Sequence, residues 1–535
     1  MNNISTYAHL IRKISPLVCF FLCLSYFVGY AQEVSKPLVW KDGKLVYQSD
    51  SLGNRIPDFS YAGYAGGNKA IPEAVVKIVV PIRSGDATAR IQAAIDYVSR
   101  LPMDKQGLRG AVLLQAGQYL IEGSLKLHTS GVVLRGSGFT GQGTVLVGTG
   151  TTRETLIRVA GVQNMVREEQ RNVKDEYVPV NAKTFHLDKV EGLQVGDRIQ
   201  ITRPSTDAWI KVLQAEDFGG EMSFLGWKPG FWNSSWDREI VRLDGNLVEV
   251  DAPITTALDQ RYGGATVERY TWNGRIERVG VENIQLESTY DVRKPKDEDH
   301  RWMAITIGNA RNVWVRRMQF KHFAGSAVYA QETSSKLTVE DCISLDPVSE
   351  IGGQRRYTFY TRGQQTLFQR LYTEKGYHDF AVGFAAAGPN VFVQCQAVEP
   401  YSFSGTIDSW ASGVLFDVVD IDGQALRFGN RGQDGKGAGW TAANSVFWQS
   451  TAALIENVQP PTAQNWGFGL WAQFQGDAYW TESNSHINPR SLYYAQLKER
   501  VGNEADERRI LLDIGTEASS SPSIAVAQEL TEIAK

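Results

Sequence analysis

Apolar residues in this chain fall in short runs of period two, broken at close intervals by single glycines and polar corners. That period belongs to β-strands. One segment departs from it. SGDATARIQAAIDYVSRL, residues 84–101, carries Ile91, Ala94, Ile95 and Val98 at helical spacing, with a candidate cap at Ser84 to Asp86. AVLLQAGQYLIEGSLKLHTSGVVLRGSG then returns to period two. It predicts strands at 111–115, 118–121, 124–128 and 132–135, with turns at Ala116-Gly117 and Ser130-Gly131. Strands this short, separated by single glycines, turn corners without forming hairpins.

From residue 280 the pattern repeats. The β-rich runs are anchored at Ile284, Val313, Leu337, Leu367, Val391, Leu415 and Val446, at steps of 29, 24, 30, 24, 24 and 31 residues. Each unit has a second short run: Ala327–Ala330, Thr358–Tyr360, Phe380–Phe384, Trp410–Gly413 and Ala425–Phe428. A period in this range predicts a solenoid, and two or three strands per turn with no helix between them favour an all-β, right-handed parallel β-helix. A propeller blade needs about 40 residues or more and four strands, more than the step allows.

Two stretches interrupt the repeat. Residues 180–270 contain VGDRIQITRP and then REIVRLDGNLVEVDAPI, where Asp244-Gly245 between alternating runs signals a hairpin. This predicts a small β-rich insertion. Its Trp209, Trp227, Trp232 and Trp236 either pack that insertion or offer faces on which sugars stack. Residues 476–535 lose the repeat; SLYYAQLKERVG predicts a helix, GTEASSSPS is a flexible stretch, and the segment is expected to cap the solenoid. The chain thus divides into 1–31, a lead-in at 32–83, the β-helix at 84–475 and the C-terminal cap.

Residues 1–31 predict a secretory signal, with Arg12 and Lys13 before the apolar stretch Pro16–Tyr30 and small residues ahead of a cut after Ala31. The stretch is short of the ~20 residues that span a bilayer. The expected location is secreted or periplasmic, with no membrane attachment after cleavage. Cys19 and Cys23 leave with the signal, and Cys342 and Cys395 remain on alternating strands as small buried hydrophobes rather than a disulfide framework.

The sequence GDATARIQAAID, then LLQAGQYLI, then LRGSG resembles the N-terminal cap and first coils of the pectate-lyase-like superfamily, which includes polygalacturonases, tailspike proteins and several polysaccharide lyases. The resemblance implies a right-handed parallel β-helix plugged at its N-terminal end by the amphipathic helix. It does not name a substrate, since one fold hosts many activities. The polygalacturonase set of Asn-Thr-Asp, Asp-Asp, Gly-His-Gly and Arg-Ile-Lys is missing; Thr406-Ile407-Asp408 stands alone. Calcium-dependent lyases of this kind use a Lys and an Arg, and here Lys375 is the one lysine between 337 and 435.

In a parallel solenoid equivalent positions stack about 4.8 Å apart. A site therefore shows as polar residues recurring once per repeat. Just before the second runs lie Arg355-Arg356, His378-Asp379 and Asp408, with His322 one coil earlier, Arg431 one coil later and Glu350 in the loop SEIGGQRR. Two chemistries fit. In β-elimination from a uronic acid, His378 is the base, and Arg355 or Arg356 holds the neighbouring carboxylate. In glycoside hydrolysis, Glu350, Asp379 and Asp408 supply the two carboxylates. Trp410, Arg431 and Trp232, with His300 and Arg301 from a charged loop, are the expected substrate contacts. Asn390 and Asn444, each preceding a strand anchor, read as turn chemistry. No metal spacing is evident beyond Glu350 and Asp346, which offer two carboxylates to a Ca2+ ion.

Composition narrows the partners. Of 535 residues, 55 are Lys or Arg and 59 Asp or Glu, a net charge of −4, which excludes a strongly basic nucleic-acid binder. Fourteen tryptophans and 51 glycines suit short strands and an aromatic, sugar-binding groove. The expectation is a monomeric enzyme on an acidic polysaccharide, a lyase ahead of a hydrolase. A non-catalytic carbohydrate-binding solenoid is the reading from another class.

Overall fold

The computed structural model describes residues 36–139 and 142–508. The signal at 1–31 and the stretch GTEASSSPS lie outside the described residues. Among those described, 24 strands join in one sheet, and within it the paired strands of successive coils run parallel. Parallel strands joined by crossovers wind right-handed. The chain is therefore the expected right-handed parallel β-helix.

The coils stack by side-chain columns. Val281, Val315, Val339, Phe368, Phe392, Phe416 and Phe447 point inward one above another. Their rings stack too: Phe392 lies 4.7 Å from Phe368 and 5.0 Å from Phe416, centroid to centroid. Cys342 and Cys395 sit in the adjoining column on either side of Leu371, buried and unbonded to each other.

The strand anchors read from sequence do not form one column. Val313 pairs with Leu337, but Leu337 pairs with Thr366; Leu367 belongs with Thr338, Val391, Leu415 and Val446. Ile284 pairs with Met318, so Val279 is the partner of Val313. A slip of one residue exchanges the faces of a strand. It passes unnoticed in the sequence because both faces are apolar here. The outward column Leu367–Val446 is covered by Ile56, Phe59 and Ala62 of the lead-in and by Leu492, Tyr493, Tyr494 and Leu497 of the helix Leu492–Val501. That helix lies along the flank of the coil. Asp417 anchors it, accepting from Ser491 Oγ at 2.6 Å and from Tyr493 N at 2.8 Å.

The coils turn corners on left-handed residues that are not glycine. Asn283, Arg317, Asp341, Arg370, Gln394 and Val418 occupy one register, with φ between 53° and 59°. A second corner stacks Arg278, Asn312, Lys336 and Gln365, and a third His322, Asp346 and Lys375. Backbone ladders on both sides hold these residues in a region that is otherwise unfavourable for a side chain.

At the N-terminal end the helix Thr88–Ser99 buries Ile91, Ala94, Ile95 and Val98 on the core. Asp86 Oδ1 accepts from Thr88 N at 3.0 Å and from Thr88 Oγ1 at 2.6 Å, fixing its start. The insertion is a six-stranded antiparallel sheet reaching from Val166–Asn172 to Thr266–Thr271, so it opens earlier than residue 180. The hairpin at Asp244-Gly245 joins Ser234–Asp244 to Leu247–Val250. Trp209, Trp227 and Trp236 are buried within and beneath the insertion, and Trp232 is half-buried. Packing is therefore the role of the first three.

Candidate active site

The second runs of the coils form a narrow parallel face. It is built from Ile305–Gly308, Val328–Ala330, Phe359–Thr361, Phe380–Val382 and Ser404–Thr406, followed by the end of Ala411–Phe428. Ser404–Thr406 takes the place expected for Trp410–Gly413, which instead opens the next long strand. Alternation turns Val328, Phe359 and Phe380 into the core. The central residues face out, giving the row Thr306, Tyr329, Tyr360, Ala381, Gly405, Arg427 and Glu456.

This row has a shape. Tyr329 and Tyr360 stack with centroids 4.9 Å apart and planes 6° from parallel. Ala381 and Gly405 have no bulk, so the row dips there, and Ala381 is fully buried with Tyr360, Phe403, Ile407 and Ala425 in one apolar cluster; this dip is the notch. Gly405 admits no side chain, since a β-carbon there would meet the Arg427 carbonyl oxygen at 2.2 Å. Beyond the notch Arg427 contacts Glu456 at 3.2 Å.

Around the notch stand Asp408, Arg362, Arg431, Tyr357, Phe403 and His378. Asp408 is buried and makes no hydrogen bond or ion pair with any described residue. Burial pushes its carboxyl up to about 6, against the pull of Arg431 and Arg362. Arg431 donates to the Ile407 carbonyl and lies 5.3 Å from the Phe403 ring; Arg427 lies 5.0 Å from the same ring. Arg362 covers Phe384 at 4.4 Å and donates to Tyr329 Oη at 3.5 Å, with Glu332 at 3.6 Å. Burial, reinforced by Asp408, pushes the Tyr357 phenol up to about 12, so it stays protonated.

His378 forms part of the floor. Its Nδ1 donates to the Phe403 carbonyl at 2.6 Å, which leaves the lone pair of the neutral ring on Nε2. The rings of Tyr357, Tyr377 and Phe403 surround it at 4.4–4.9 Å. Burial, then Arg431 and Arg427, drives its pKa down to about 4. The imidazole is thus neutral at pH 7.

The other residues expected in the site are placed elsewhere. Asp379 points into the coil, where Oδ1 accepts from Thr373 Oγ1 at 2.7 Å and from Thr358 Oγ1 at 2.8 Å. Burial raises its pKa to about 6, yet no substrate reaches it. Arg356 is buried, and its guanidinium is spent on Ser349 Oγ, Ser349 O and Lys375 O at 2.9–3.2 Å. Arg355 forms a bidentate pair with Glu298 beside Trp302. Glu350 pairs with Lys296 at 2.8 Å and Asp346 with Lys375 at 3.4 Å, so each carboxylate of the expected Ca2+ pair holds a lysine. No group of three or more His, Cys, Asp or Glu able to hold a metal occurs among the described residues.

His322 is a corner residue against Tyr290, ring centroids 5.0 Å apart, and 3.9 Å from Glu287. His300 is buried between Ser288 Oγ, Asp297 O and Val348 O. Arg301 is fully buried and bonds Glu154, Thr152 and the Gly123 carbonyl. These three hold loops and a corner in place. Trp410 is fully buried edge-on to Trp209 at 4.6 Å, so it packs the insertion onto the coil. Asn390 accepts from Thr366 N and Oγ1 at 2.8–2.9 Å, the turn role expected of it. Of the expected set, Asp408, Arg431, His378 and Trp232 remain near the notch.

Tyr329, Tyr360, Tyr357 and Arg362 were not singled out by sequence reasoning. A signal existed: Tyr329 and Tyr360 are the middle residues of two successive second runs, VYA and FYT.

A family model described as a domain of unknown function (DUF6298) matches residues 478–535. No curated protein matches the chain by sequence. Among solved structures, the tailspike protein gp49 from Pseudomonas phage LKA1 is 12% identical, with a TM-score of 0.43 over 72% of this chain. The chain spans 56% of that tailspike's length. A polygalacturonase from Erwinia carotovora is 11% identical, TM-score 0.30, over 78% of this chain and 98% of its own. The A-module of a mannuronan C-5 epimerase from Azotobacter vinelandii is 11% identical, TM-score 0.32, over 78% and 87%.

Proposed function

We propose that this chain is a carbohydrate-active enzyme that cleaves a uronic-acid-containing polysaccharide by β-elimination in the notch of the short-strand face, with Asp408 as the base. The observation that carries this reading is Asp408 itself, a buried carboxylate left without a partner between two guanidinium groups. Elimination needs one base and a cation to neutralise the carboxylate next to the carbon that loses its proton. Asp408 ionises above about pH 6 and takes the C5 proton. Arg431 or Arg362 binds the uronate carboxylate, onto which the electron pair spreads. The C4–O bond then breaks, a C4–C5 double bond forms, and the Tyr357 phenol supplies a proton to the departing oxygen. Tyr329 and Tyr360 offer a flat face to a neighbouring sugar.

Hydrolysis asks for a second free carboxylate, about 5–5.5 Å or 6.5–9.5 Å from the first. Glu456 and Glu332 are paired with arginines, and Asp379 is turned into the coil. That favours elimination. A secreted or periplasmic location, as residues 1–31 suggest, suits a polymeric substrate.

The test is incubation with a panel of uronic-acid glycans, followed at the ultraviolet band of the unsaturated product and, in parallel, by reducing ends. Both signals together support elimination. Reducing ends without the absorbance overturn it in favour of hydrolysis, and binding without either signal makes the protein a carbohydrate-binding solenoid.

A further inference from the structure

A cavity of about 280 Å³ lies between the insertion sheet and the solenoid, and two of its wall residues, Arg362 and Phe384, also border the notch. The junction is tight. Asp408 rests against Gly383, and the next two residues, Phe384 and Ala385, adopt left-handed conformations at φ 52° and 53°. Ala385 N donates to Ser409 O at 2.6 Å, tying this turn to the one that carries Asp408. Trp232 of the insertion meets Phe384 at 5.8 Å. Arg362 and Phe384 are therefore shared between the cavity wall and the surroundings of Asp408, and the insertion roofs the cavity.

Its lining suits sugar units. Gln163 and Arg167 are exposed at its edge, and Arg167 Nε donates to Gln200 Oε1 at 2.8 Å and lies 3.6 Å from Glu268. Amides and a guanidinium bind hydroxyls and a carboxylate, while Trp272 and Phe384 add apolar wall, each with an arginine over its ring. Of the two acids that line it, Asp237 is neutralised by Arg275 and hydrogen-bonded by Tyr270 Oη, and Glu332 lies 3.6 Å from Arg362, so each has a cation beside it.

We infer that this cavity is a distal subsite for non-reacting units of the same acidic polysaccharide, and that the insertion thereby sets the preferred chain length. The inference rests on the reading of the notch as the reacting centre. A chain whose scissile unit lies at Asp408 passes Arg362 and Phe384 and continues beneath the insertion sheet. Binding energy gained there, away from the chemistry, favours long substrates over short ones.

The experiment compares kcat/KM for a long and a short uronate oligosaccharide in the wild type, in the double variant Gln163→Ala/Arg167→Ala, and in Ser235→Phe, which narrows the cavity. Equilibrium binding of the long oligosaccharide is measured alongside. The long-to-short ratio is expected to fall about tenfold in both variants. An unchanged ratio in both, with an active wild type, overturns the subsite and leaves the reacting centre standing. A wild type that turns nothing over, yet binds the long chain in a manner sensitive to these substitutions, supports the subsite and removes the catalytic reading. A wild type that neither binds nor cleaves overturns both.

Discussion

Asp408 Oδ2 packs against Gly383 so closely that a β-carbon on Gly383 would stand 3.0 Å from it. The glycine is not there for its backbone angles; it makes room for the carboxylate. Gly383→Ala should push Asp408 out of line with the notch while leaving the coil folded. The expected result is a kcat reduced about tenfold or more, with an unchanged circular-dichroism melt. Full activity in that variant would separate Asp408 from the chemistry.

The direction of the pH–rate limb distinguishes base from acid. A base must be ionised, and the ionised fraction of Asp408 grows as pH rises through about 6. Elimination therefore predicts a kcat that climbs across that value and levels above it. An acid role in hydrolysis predicts a fall across the same value. Asp408→Asn should remove the limb and cost about 10²–10⁴-fold in kcat.

The stacked pair of Tyr329 and Tyr360 makes a prediction about binding rather than chemistry. Tyr329→Ala should raise KM about tenfold and change kcat little, the value of one aromatic face. Steady-state kinetics with a long glycan reads this directly. A loss confined to kcat would contradict the platform role.

Asp417 ties the flank helix to the coil, and its Oδ1 has no partner. Burial pushes its pKa up to about 7, above the ordinary 3.8, against its hydrogen bonds from Ser491 and Tyr493. The unfolded chain therefore releases this proton first. The stability tied to the protonated form is complete below about pH 4 and is lost as pH rises through about 7. Asn cannot ionise. Asp417→Asn should match the wild type near pH 4 and exceed it by about 2–4 kcal/mol above pH 7, measured by denaturant melts across pH. A gain that did not grow with pH would contradict this.

Much of the architecture was legible because a solenoid writes its period into the chain. The capping helix at Thr88–Ser99 and the flank helix at Leu492–Val501 were readable from spacing, and Asp244-Gly245 from turn chemistry. The register was not. Leu337 and Leu367 look equivalent in sequence, yet they face opposite ways, because an outward face sealed by the lead-in is as apolar as the core. The corners at Arg317, Asp341 and Arg370 carry no glycine to mark them.

The local sequence determined that this chain would form short strands, stack them as coils and plug the first coil with a helix, since these follow from periodicity and from the cost of leaving backbone groups unpaired. Only the tertiary structure decided which polar residues meet. Arg356, Arg301, His300 and Asp379 look like chemistry in one dimension, and each is consumed by buried hydrogen bonds in three. Asp408, one of three candidate carboxylates in the sequence, is the one the fold leaves without a hydrogen bond or ion pair, beside Arg431 and Arg362. Whether a charged group is free to react depends on what the fold places beside it, and those neighbours lie one or more coils away along the chain.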